Sequence, residues 1–180
     1  LQDDSASACA QLSACLTLAE QWAGVSQEPA AVPYMEEAVL SFLRSCEVLT
    51  SDWKQMLEQA ANTPEPEKAL AYTPALDQEI RLFTMDMLYR YYLRAAYAET
   101  PEAEILPVQM AAFSVCVVLL YSRRLGFHTA EQRLRIWQLF VKEIEYDGNN
   151  LEELEWQLET NAAFSPAAFR AYFASLGGVQ

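Results

Sequence analysis

Apolar positions in this chain recur at spacings of three and four rather than two, the signature of helices that bury one stripe. The pattern predicts helices near 5–23, 34–47, 51–61, 74–98, 102–124, 130–147, 150–160 and 166–175. No segment sustains a period of two, and Asp147-Gly148 sits between two helical patterns rather than between strands. The expected fold is all-α, a compact bundle of about seven to eight helices.

Punctuation residues agree with that reading. Gly24, Gly126, Gly148, Gly177 and Gly178 all fall where a helical pattern stops, as expected of residues that enter the left-handed region without steric cost. Thr73-Pro74, Thr100-Pro101 and Ser165-Pro166 each offer a capping hydroxyl followed by a first-turn proline. Thr129 with Gln132, and Asn150 with Glu153, have capping-box spacing, while Thr50 or Ser51 opens the helix that follows.

The stretch 74–98 is apolar on two faces. Leu76, Ile80, Phe83, Met87 and Tyr91 form one line, and Leu82, Met85, Tyr89 and Leu93 form another. Both lines are expected to be packed, which makes this helix and 102–124 the two central buried helices. Ile105 to Ser122 is nearly long and apolar enough to cross a membrane, but it carries Pro107, Gln109 and Ser114 between amphipathic neighbours, so a buried core helix is the expectation. The proline-bearing linkers at 24–33 and 62–73 leave room for a loosely attached N-terminal segment, residues 1–30, on an otherwise single domain.

Composition narrows the function classes. A chain of 180 residues, 52% hydrophobic, builds a sizeable core without a disulfide or metal staple. A formal charge of -13 repels phosphate backbones and anionic bilayers, so neither nucleic acid nor membrane is the expected partner. Cys9, Cys15, Cys46 and Cys116 are widely spaced in apolar helical contexts, the expectation for free thiols in a reducing compartment. The opening LQDDSASACAQ shows no basic stretch ahead of an apolar run, so no signal peptide is expected there.

Candidate chemistry is sparse. The single histidine, His128, lies between two helical patterns, which excludes a multi-histidine metal site and disfavours a Ser-His-Asp arrangement. No glycine spacing matches a phosphate-cradling loop. Trp22, Trp53, Trp137 and Trp156 offer pocket walls, although their spacing does not require one. With Phe140 at the centre of a buried face, Arg133, Ile136, Glu143, Ile144 and Asp147 fall on the same side and Glu145 points away. Buried carboxylates need partners, and Arg90 and Arg94 on the central helix can supply them. The candidate site is therefore a polar cluster of Arg90, Arg94, Glu143 and Asp147, read first as structural and second as a ligand or catalytic site; no metal is expected.

Three segments carry a resemblance: MEEAVLSFLRSCEVLTSDWKQMLEQA, EIRLFTMDMLYRYYLRAAY and LFVKEIEYDGNNLEELEWQLETNAAFS. In that order they resemble the C-terminal helical half of the flagellin lysine-N-methylase family, over roughly Tyr34 to Phe173. The most specific piece is I-E-x-x-x-x-N-L-x-x-L at Ile144, Glu145, Asn150, Leu151 and Leu154, preceded by the stretch L-Y-R-Y-Y-L-R-A. The resemblance implies a bacterial cytoplasmic protein whose longer form methylates lysine side chains of flagellin with S-adenosylmethionine. In the family an iron–sulfur centre is held by a cysteine cluster of the N-terminal half, which Cys9 and Cys15 do not reproduce, and Tyr146 stands where histidine is expected. It thus implies a C-terminal all-α part with a supporting or substrate-binding role, whose partners are flagellin and the N-terminal catalytic half, and it transfers no catalytic residue. The alternative is a non-enzymatic helical module that binds a protein partner or a small apolar ligand.

Overall fold

Among the described residues the chain forms eight α-helices: α1 (Ala8–Ala23), α2 (Met35–Ser45), α3 (Ser51–Asn62), α4 (Pro74–Ala96), α5 (Pro101–Leu125), α6 (Ala130–Phe140), α7 (Gly148–Thr160) and α8 (Pro166–Ser175). The structure, a computed structural model, describes residues 6–24, 35–64, 70–97 and 100–176, and of 92–96 and 101–103 the backbone alone. No strand occurs among the described residues. Residues 25–33 of the first linker, 65–69 of the second and the Gly177–Gly178 pair lie outside them.

Local sequence sets most of the helix starts, because a hydroxyl replaces the partner that a first-turn amide lacks. Ser7, Thr73 and Ser165 accept from the amides of Ala10, Leu76 and Ala168, each at 3.2 Å. Thr50 caps α3 by accepting from Trp53 N–H, and Thr129 with Gln132 forms the expected capping box at α6. Gly24 and Gly126 take φ of 69° and 66°, as a left-handed helix exit requires. Gly148 departs from expectation. It opens α7 rather than closing the helix before it, and Asp147, not Asn150, is the cap.

The core is centred on α5, which is buried without a break from Gln109 to Ser122. An 18-residue stretch within Glu104–Leu125 has a mean hydropathy of 2.0 and 94% of its residues buried, so the apolar run is covered by neighbouring helices. Among the described residues it is the one helix long and apolar enough to cross a membrane. Two of its polar residues find backbone partners: Gln109 Nε2 donates to the carbonyls of Leu158 and Phe164 at 2.9 and 3.1 Å, and Ser114 Oγ to that of Met110. Phe113 is the aromatic hub, edge-on to Phe42 and Phe164 at 5.4 and 5.2 Å.

The pair α4 and α5 makes the most extensive helix–helix contact, and Leu76, Ile80, Phe83, Met87 and Tyr91 of α4 are buried in it. The second line of α4 is not packed as expected: Leu82, Met85 and Tyr89 are 58%, 66% and 86% exposed. α1 and α6 pack beside α4, and among the described residues no helix covers its outer face. Leu93 lies outside the described side chains. Ala8, Cys9, Leu12 and Leu16 place α1 in the same hydrophobic cluster as the other helices.

Candidate functional site

The helix begun at α6 does not continue as α to its end. Residues Val141–Glu145 form a π turn, closed by Tyr146 N–H donating to the Val141 carbonyl at 3.2 Å. A π turn spends about one extra residue, so positions beyond it are rotated back by roughly 100° relative to a regular helix. This turn decides where the acids of the candidate cluster point.

Glu143 is fully buried, as its place on the Phe140 face predicts. Its carboxylate accepts from Leu49 N–H at 2.7 Å and from the Thr50 hydroxyl, both in the connection between α2 and α3. The same Thr50 oxygen caps α3, so one residue satisfies the carboxylate and starts a helix. Beside it, Asn150 is buried and forms a three-way clamp. Its Oδ1 accepts from Glu47 N–H, and its Nδ2 donates to the carbonyls of Glu47 and Glu143, all at 2.8 Å. Asp147, half-buried, accepts from Asn150 N–H at 2.8 Å and holds the clamp in place as the α7 cap.

Arg90 is engaged elsewhere. It pairs with Glu145 at 3.0 Å and with Asp86 at 2.9 Å, so the acid expected to face away is the one that meets α4. The four-residue cluster is thus divided: Glu143 and Asp147 join the α2–α3 connection to α7, while Arg90 joins α4 to the π turn. The side chain of Arg94 lies outside the described residues. Burial raises the Glu145 carboxyl above its ordinary value, against the opposing pull of Arg90. The Tyr121 phenol is pushed up too, first by burial and then by the charge of Glu143.

A second polar cluster escaped the sequence. Glu36 meets Arg123 at 2.7 Å, Arg124 at 3.5 Å and the Tyr172 hydroxyl at 3.1 Å, while Arg124 reaches Glu37 at 2.6 Å and the Thr63 carbonyl at 3.1 Å. Burial raises the Tyr172 phenol, which stays the donor to Glu36. The sequence signal was present but ambiguous. Two acids in the first turn of α2 and two arginines in the last turn of α5 are also what helix dipoles favour on exposed termini.

These arrangements are held chiefly by protein partners, although Glu145 Oε1 is buried without a hydrogen bond, and they are suited to fixing helices in place. Cys9 and Cys46 are poor nucleophiles, their thiols pushed up by burial to about 11 and about 12, and all four cysteines are free. The tryptophans do not converge: Trp53 packs on Tyr121 and Trp137 stacks on Phe83 at 4.6 Å, whereas Trp22 and Trp156 are exposed. Among the described residues no three His, Cys, Asp or Glu side chains gather as metal ligands. No family model, curated protein or solved structure matches the chain.

Proposed function

We propose that this chain is the helical, non-catalytic part of a lysine N-methylase-like system, with a supporting or substrate-binding role in methylation of flagellin lysines. The reading rests on the resemblance of its three segments, and one observation supports it. The polar residues of the I-E-x-x-x-x-N-L-x-x-L motif are those that tie the three segments together. Glu145 reaches Arg90 in the second segment, and Asn150 clamps Glu47 in the first. Ile144 and Leu154 of the same motif are buried in the core. A motif so placed preserves a scaffold, which agrees with a supporting part that leaves transfer of the methyl group from S-adenosylmethionine to another part of the system. The iron–sulfur centre of the family belongs to that other part too.

The decisive measurement is mass spectrometry of flagellin from cells with and without the gene that encodes this chain. Loss of lysine methyl groups on deletion, restored by the wild-type gene and not by a version lacking codons 35–165, is the expected result. An unchanged methylation pattern on deletion would overturn the reading.

A further inference from the structure

The outer face of α4 has a regular order that core packing does not explain. Ala75, Gln78, Leu82, Met85 and Tyr89 follow one another at spacings of three and four, the a and d positions of a two-stranded coiled coil, and all five are exposed. With Leu82 at a and Met85 at d, the preceding g position is Arg81 and the following e position is Asp86. In a parallel pair, g of one helix faces e of the other, so Arg81 of each copy faces Asp86 of the second.

The border of this strip is close to electrical balance in a chain of net charge -13, with three arginines against four carboxylates. Asp77 pairs with Arg81, Glu79 with Arg133, and both Asp86 and Glu145 with Arg90. A cationic partner would find more charge elsewhere on the molecule, whereas a second copy of an acidic protein needs a neutral face to approach. The area also suffices. α1 runs alongside α4 in the same direction, with Ala8 N–H on Asp77 and Gln11 on Arg81, and it carries Leu18 and Trp22 at 63% and 87% exposed. An aromatic residue offers about 150–250 Å². With Tyr89, Trp22, Leu18, Leu82 and Met85, each copy presents several hundred Å² of side chain, on the order of the roughly 800 Å² per partner of a standard interface.

We infer that two copies of this chain pair through α4, parallel about a two-fold axis, with Leu82, Met85 and Tyr89 each meeting its own counterpart. Sedimentation equilibrium of the 180-residue chain should give twice the monomer mass. The variant Met85→Glu should sediment as a monomer at the same concentration, with a helical circular dichroism spectrum matching wild type. Tyr89→Cys, made in a Cys15→Ser background, should form a disulfide-linked dimer under mild oxidation, because like positions adjoin only in the parallel pairing. A monomeric wild type, a dimer indifferent to Met85→Glu, or a Tyr89→Cys dimer that does not cross-link would each overturn the inference.

Discussion

Glu143 and Glu145 stand two residues apart on one π turn and have opposite circumstances. Glu143 is fully buried and is satisfied by an amide and a hydroxyl, both uncharged. Glu145 sits at the rim of α4, paired with a guanidinium whose side chain is 37% exposed. The difference teaches that the more deeply buried acid is not the one with the ionic partner. Direct hydrogen bonds from a fixed connection hold a carboxylate in an apolar interior, while the ion pair leaves its guanidinium at the water and the Glu145 side chain only 8% exposed.

Three changes probe that contrast. The largest effect is expected for Glu143→Leu, which leaves Leu49 N–H and the Thr50 hydroxyl without their acceptor in the interior. A loss of about 3 kcal/mol in urea unfolding is expected, with an unchanged dependence on denaturant. A variant as stable as wild type would show that these donors are satisfied without the carboxylate. Asn150→Ala comes next, at about 2 kcal/mol, since it removes the clamp on Glu47 and on the Glu143 carbonyl but leaves the Asp147 cap. Hydrogen exchange should quicken at Glu47 and Leu49 before it does in α5; uniform quickening would contradict a local clamp.

Glu145→Gln should have the smallest effect, under about 1 kcal/mol, with a definite pH signature. The folded carboxyl lies above its ordinary value of 4.5, chiefly through burial, so the fold favours the protonated form. The stabilisation from that proton is complete below pH 4.5 and is lost as pH rises through the higher folded value. The glutamine variant should therefore gain on wild type as pH is raised across that window and differ from it by a constant amount on either side. A constant difference at every pH would remove Glu145 as the source.

Much of the fold was legible because its signals are local. Thr129 with Gln132, Ser165 with Pro166, and Gly126 each act within one helical turn, and each does what its type and spacing predict. The candidate site was legible only in part. A helical wheel puts Glu143 inside correctly, yet it assumes a constant angle per residue and so misplaces Glu145 at the end of the π turn. Asn150 looked like a cap because its spacing to Glu153 is right; the backbone N–H and carbonyl of Glu47 that it clamps lie more than a hundred residues earlier. Glu36 with Arg123 and Arg124 was hidden for the same reason, because helix-end charges look alike whether they meet water or each other.

By itself the sequence determined the helices, their caps and the apolar stripe that makes α5 the centre, since propensity, capping and periodicity operate over a few neighbouring residues. Only the tertiary structure decided which apolar face of α4 is covered and which carboxylate receives an arginine. Those outcomes depend on where α1, α6 and the α2–α3 connection come to rest, and on one extra residue wound into a turn.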